Sequence, residues 1–283
     1  MKSITKEIVS FEKYLYLEEK SENTVKKYIR DVNTFREFLG IENISFDKSI
    51  NKDLVMKYKA YLKEKYNISS ANSMIASINA FFKFIDRIDL CVKPFKVQKS
   101  AFCDKSKELS FEEYNRLVET AIASGNERLS LVLQTICATG IRISELKYIT
   151  VDAVERGHVS VSLKNKTRIV FLVKKLRKKL KEYIKSQKIK KGSVFVTKNG
   201  KPLDRTNIWR EMKKLCEKAK VEPSKVFPHN LRHLFAKAFY EKEKDIAKLA
   251  DILGHSSINT TRIYIMSNGD EHLRRMESMR LVI

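Results

Sequence analysis

No apolar run in the 283-residue chain approaches the ~20 residues needed to cross a bilayer, which argues against a membrane-spanning helix. Residues 1–20 carry glutamates in an amphipathic pattern rather than a signal segment, and no lipidation motif closes the chain. Cytoplasmic residence, with no membrane partner, is the expectation. Cysteine is scarce, and the four present (Cys91, Cys103, Cys137 and Cys216) form no C-x-x-C pair. Neither a disulfide framework nor a zinc site is suggested. Cys137, inside the apolar run LSLVLQTICAT, reads as a small core residue. No long internal repeat is present. Acidic residues are in deficit: Asp and Glu total 34 against 57 Lys and Arg, a formal net charge of +23. Solubility needs far less, so so one-sided an excess points to a polyanionic partner, either nucleic acid or an anionic membrane surface.

Hydrophobic residues make up 43% of the chain, enough for a real core, and the length suits two domains. Residues 1–92 read as helices only. Ile4, Ile8, Phe11 and Leu15 share one helical face. Val25, Tyr28, Ile29, Val32 and Leu39 share another, with Ser21 or Asn23 as cap and Gly40 as stop. Leu54, Tyr58, Tyr61 and Leu62 follow behind Asn51, and Met74, Ile78, Phe81, Phe82 and Ile85 form a fourth stripe. These aromatic stripes read as core rather than as base-stacking platforms. Residues 93–107 break the periodicity at Pro94 and read as a basic linker, in which Lys93, Lys96 and Lys99 are candidates to lie along phosphates.

The remainder, residues 108–283, opens with a capping box of Ser110 and Glu113, followed by a buried helix ending near Gly140. HVSVSL and RIVFLV flank KNKT in a hairpin pattern, and SVFVTKNGKPL reads as a short strand and turn. Helices are predicted over 174–187, 206–219, 229–241 and 245–253, around Tyr264, and in a tail after Asp270.

Three strings carry chemistry: ATGIRISEL with Arg142, PHNLRH with His229 and Arg232, and LGHSSINTTRIYI with His255 and Tyr264. Planar guanidiniums match the two non-bridging oxygens of a phosphodiester and stay charged at any working pH. Arg142 and Arg232 therefore suit a phosphate clamp, and Tyr264 suits a nucleophile that forms a phosphotyrosine. Such a bond keeps the phosphodiester's energy, so a strand can be resealed without ATP. His229 and His255 can move protons or bond the phosphate. The leaving oxygen needs a proton, for which the hairpin offers Lys164 and Lys166. Glu145, one turn after Arg142, suits a supporting carboxylate. His229 and His233 have metal-ligand spacing, but Asn230 stands where a zinc-protease helix needs glutamate and no third ligand is evident. No metal is expected.

These boxes, in this order, resemble those of the tyrosine recombinase (phage integrase) family, and the chain is similar to its short Xer-type and mobile-element integrases. SENTVKKYIRDVNTFREFL resembles the family's helical, SAM-like core-binding domain. The resemblance makes Arg142, His229, Arg232 and His255 catalytic, Glu145 the acidic supporter and Tyr264 the nucleophile. It implies a mainly α fold: a helical N-terminal domain, then a mostly helical catalytic domain with a small β-hairpin sheet, clamping duplex DNA. It further implies a 3′-phosphotyrosyl intermediate, a free 5′-hydroxyl, and exchange through a Holliday junction by a tetramer on two DNA sites. A nucleoid-associated location follows from that substrate. No metal and no nucleotide cofactor are implied. The tail, about 270–283, would dock on a neighbouring protomer through Leu273, Met276 and the final LVI, or fold back on its own domain. The hairpin is about one residue shorter than the family loop; Lys164 is the favoured acid and Lys166 the alternative. No separate arm-binding domain is expected. An accessory protein or partner recombinase, a non-catalytic DNA-binding regulator, and topoisomerase-like relaxation are the remaining readings.

Overall fold

Side-chain caps and apolar stripes set the helices of the first unit. Helix α1 (Ile4–Leu17) buries Ile8, Phe11 and Leu15. Helix α2 (Glu22–Ile41) starts behind Ser21, whose hydroxyl accepts from the Thr24 N–H at 3.4 Å, so Ser21 rather than Asn23 is the cap. Asn51 caps α3 (Lys52–Lys65) through the Leu54 N–H, and Asn67 caps α4 (Ile68–Phe84) through that of Ser70. The expected stripes meet in one core. Phe11 packs edge-on against Phe81, and Phe35 against both Tyr58 and Phe82. Asp31 on α2 is fully buried, where it accepts from Ser77 on α4 and pairs with Lys27. A buried carboxylate is tolerable only when so satisfied. Gly40 does not stop α2, which runs on to Ile41. Its φ is not positive, and glycine costs a helix only about 1 kcal/mol.

The computed structural model describes residues 4–41, 50–97, 105–163, 166–197, 199–265 and 276–279. The chain divides into Met1–Lys99 and Ser100–Ile283. Residues 98–100 and 101–104 of the expected linker lie outside the described residues, as do 42–49. No helix among the described residues is long and apolar enough to cross a membrane.

The second unit opens with the Ser110–Glu113 capping box, both bonds made, at the head of α5 (Phe111–Ala123). The one helix expected up to Gly140 is two. Gly125 turns with φ 70°, and Asn126 caps α6 (Glu127–Thr139) through the Leu129 N–H. A left-handed glycine followed by an asparagine cap stops one helix and starts another, whatever the apolar periodicity on either side. Helix α6 is the axis of the unit, with Leu129, Leu131, Val132, Leu133 and Ile136 all buried. A 3-10 turn (Ile143–Tyr148) and α7 (Val151–Arg156) lead to a two-stranded antiparallel sheet, β1 (His158–Leu163) and β2 (Lys166–Phe171), paired from His158↔Phe171 to Leu163↔Lys166. Neither the 3-10 turn nor α7 was evident from periodicity, being too short to show one. Helices α8 (Lys174–Ser186), α9 (Arg205–Ala219), α10 (Pro228–Glu243), α11 (Ile246–Leu253) and α12 (Ile258–Ile265) follow. The strand expected in SVFVTKNGKPL is reduced to isolated bridges, Thr150↔Ser193 and Val196↔Pro202.

Helix α6 ends in Gly140, with φ 62°; a Cβ there would lie 2.5 Å from Phe235 Cδ1 and 2.8 Å from Leu253 Cδ2. A Cβ at Gly40 would meet nothing within 4 Å among the described residues. The two glycines therefore predict opposite outcomes. Gly140→Ala should lose about 2–5 kcal/mol, combining left-handed strain and overpacking. Gly40→Ala should gain up to about 1 kcal/mol. Urea denaturation of the two variants beside the parent chain checks both signs.

Candidate active site

Three helix ends converge in the second unit. After the Gly140 cap the backbone is extended at Arg142, with φ −74° and ψ 147°, and then enters the 3-10 turn. Fully buried Glu145 in that turn reaches back: one oxygen accepts the Arg142 N–H at 2.9 Å, the other accepts Arg142 Nη1 at 3.0 Å. The remaining arm of Arg142, Nη2, donates to Gly254 O at 3.0 Å. His229, Arg232 and His233 lie on the first turn and a half of α10. Helix α11 ends at Gly254, with φ 63°, which releases His255 into the site; α12 then brings Thr261 and Tyr264.

Arg232 is 2% exposed. Its Nη1 donates to Gly140 O and its Nη2 to Leu253 O at 2.6 Å, with His255 Nε2 at 2.9 Å from the same Nη2. Its buried Nε has no hydrogen-bond partner among the described residues. A guanidinium only donates, so His255 Nε2 is the acceptor and the ring proton sits on Nδ1, which donates to Thr261 Oγ1 at 2.9 Å. Burial, then the charge of Arg142, pushes Arg232 down to about 10. Burial and the neighbouring Arg232, Arg142 and Arg168 push His255 down to about 4. His229 is lowered by the same causes, burial first and then Arg232 and Arg142.

Tyr264 is 6% exposed. Its ring stacks on His233 at 4.0 Å and 15°, and meets the His229 ring edge-on at 5.1 Å. Its hydroxyl lies 3.4 Å from His229 Nδ1. Burial holds His233 itself at about 4. Arg142, Glu145, Arg168, Gly254, His255 and Ser256 line a cleft of about 750 Å³, and His229 borders a second, of about 500 Å³, beside Arg205, Thr206 and Trp209.

The residues of the three boxes thus share one site: Arg142 with Glu145, His229 with Tyr264, and Arg232 with His255. Among the candidate lysines, Lys164 lies outside the described residues. Lys166 begins β2, paired with Leu163, and its side chain lies outside them too. Lys93 and Lys96 are exposed in the first unit and away from the boxes in sequence; Lys99 is outside the described residues. Of the tail, Met276 is described and is exposed, whereas Leu273 and residues 281–283 are not described. Sequence reasoning missed Arg168, His233 as the partner of Tyr264, and Thr261. Arg168 was detectable: strand alternation sets it on the face of buried Val170, and a charge on the inward face of a hairpin needs a partner.

The chain matches the model of the phage integrase family over residues 107–271, and that of the phage integrase N-terminal SAM-like domain over residues 8–87. It is 30% identical to tyrosine recombinase XerA of Thermococcus kodakarensis, over 98% of this chain and 95% of that one. It is 34% identical to tyrosine recombinase XerD of Staphylococcus saprophyticus, over 91% of this chain and 92% of that one. Among solved structures, a XerA recombinase aligns over 99% of both chains with a TM-score of 0.53 and 28% identity. A lambda integrase dimer bound to a COC′ core site has the same fold, with a TM-score of 0.74 at 16% identity, over 94% of this chain and 96% of that one.

The two histidines held at about 4, against 6.5 when free, make a pH prediction. Between those values the unfolded chain binds more protons than the folded one, so stability is complete above about 6.5 and is lost as pH falls through 4. The melting temperature of the second unit's transition should drop across that window. His233→Phe, which keeps the stack on Tyr264 and removes the proton site, should flatten the drop. An unchanged slope in scanning calorimetry would contradict the assignment.

Proposed function

The chain belongs to the phage integrase family of tyrosine recombinases, and on that premise we propose that it cuts and rejoins duplex DNA at a specific site through Tyr264. The observation that supports this most is the convergence of Arg142, His229, Arg232, His255 and Tyr264 from three separate sequence boxes onto one site where three helix ends meet. Arg142 and Arg232 bind the non-bridging oxygens of the scissile phosphate and stabilise the charge that grows there. Tyr264 Oη attacks phosphorus, and its proton passes to His229, 3.4 Å away in the resting geometry. The bond from phosphorus to the 5′-oxygen breaks, and that oxygen takes a proton from Lys164, or from Lys166. The 3′-phosphotyrosyl strand is later attacked by a 5′-hydroxyl, which restores a phosphodiester and frees Tyr264. No cofactor enters this cycle.

As placed, Arg232 and Tyr264 are both nearly buried, so binding must re-aim them. Arg232 Nη2 exchanges His255 for a phosphate oxygen. The arriving anion also offsets the arginine charges that keep His255 neutral, and so favours its protonated, donating form. Residues 1–92 grip the duplex with the basic segment 93–107, Lys93 and Lys96 against phosphates. Exchange proceeds through a Holliday junction in a tetramer on two sites, with residues 270–283 docking on a neighbour. A DNA substrate places the chain at the nucleoid.

The deciding experiment uses a nicked suicide duplex carrying a site recovered by binding selection from a random pool. The parent chain should leave a covalent adduct on a denaturing gel. Tyr264→Phe should leave none while binding within about twofold of the parent, and Arg232→Ala should slow adduct formation by about 10²–10³-fold. Equal losses of binding and cleavage would contradict the role of Tyr264. Affinity for the same duplex should fall by about 10³-fold or more between 50 and 200 mM salt, as expected for several phosphate contacts. A flat salt response in fluorescence anisotropy would contradict phosphate gripping.

A further inference from the structure

Arg168 belongs to none of the three boxes, yet it contacts residues at two of them, Glu145 in the first and Gly254 in the last. It lies on β2 and its side chain is 12% exposed. One arm, Nη2, donates to Glu145 Oε2, the oxygen that also accepts the Arg142 backbone N–H. The other arm, Nη1, donates to Ile252 O near the end of α11. Its shaft runs under Gly254, where a Cβ would come within 2.5 Å of Arg168 Cδ and 2.9 Å of its Nε. Gly254 O in turn holds Arg142 Nη2. Arg168 therefore touches both supports of Arg142: the carboxylate that takes Nη1 and the helix end that takes Nη2.

A surface ion pair would not need this arrangement. Burying a third guanidinium beside Arg142 and Arg232 is costly, and its Nε is buried without a hydrogen-bond partner among the described residues. The fork matches two acceptors in different directions, which a lysine ammonium cannot serve with fixed geometry.

We propose that Arg168 is a positioning residue for the phosphate clamp: by bridging Glu145 and the end of α11, it sets the direction in which Arg142 meets the scissile phosphate. This rests on the recombinase reading above. Arg168 does not itself touch the reacting atoms; it acts through Arg142.

The test is the rate of adduct formation on the selected nicked duplex, made with an ordinary scissile phosphate or with either stereoisomer of a methylphosphonate there. The methyl group removes the charge of one non-bridging oxygen, and with it the need for the arginine aimed at that oxygen. Arg168→Met should bind DNA like the parent and slow adduct formation about 10–100-fold on the phosphate, the scale of a lost supporting contact. The same stereoisomer that relieves Arg142→Ala should relieve Arg168→Met to within about threefold of the parent. Arg168→Lys should fall between parent and Met. Three outcomes overturn the proposal: no slowing in Arg168→Met, slowing that is equal on phosphate and both methylphosphonates, or relief by the opposite stereoisomer. Slowing equal on all substrates would mean a purely structural role, visible also as a lower melting temperature. Absence of any Tyr264-dependent adduct with the parent chain would instead refute the recombinase reading itself.

Discussion

Three consecutive carbonyls at the end of α11 each accept from a different arginine: Ile252 O from Arg168, Leu253 O from Arg232, Gly254 O from Arg142. The end of a helix carries a partial negative charge on just such unpaired carbonyls. It can hold cations in place while cancelling only part of their charge. One buried carboxylate, Glu145, takes up Arg142 and Arg168. The balance leaves an electropositive cleft lined by Arg142 and Arg168, a setting that favours an anion. Much of the second unit is arranged to present this one helix end: α6 supplies Gly140 O beneath Arg232, and the sheet supplies Arg168.

The histidines serve a second need. A tyrosine set in a cluster of positive charge can be held in a defined pose by aromatic stacking, which adds no charge. Burial keeps His233 neutral beneath the phenol ring. The same low-dielectric surroundings keep His255 neutral, so that it accepts from Arg232 while Thr261 fixes its tautomer. Local charge and local burial thus decide together which groups bear protons.

Most of the architecture was legible because periodicity is a strong signal in long helices. Stripes such as Leu54–Tyr58–Leu62 and Met74–Ile78–Phe81 became core. The boxes were legible for a different reason: Arg142, His229, Arg232, His255 and Tyr264 form a chemically coherent set in a specific order. What escaped was decided by short range or by long range. The break at Gly125–Asn126 is a two-residue event inside an apolar run, and Gly40 has the composition of a stop without its conformation. Arg168 joins segments far apart in sequence, and no local pattern names its partners.

Helix α11 has eight residues between its Asp245 cap and Gly254. Successive residues of an α-helix are rotated by about 100°. One residue added or deleted anywhere in α11 would turn its terminal carbonyls by that angle and present each arginine with the wrong acceptor, or with none. The helix is therefore a ruler counted in whole residues. Side chains on its outer face can drift freely, but its length cannot, and the tolerance of this chain to insertion should be lowest in a segment that contains none of the residues doing the chemistry.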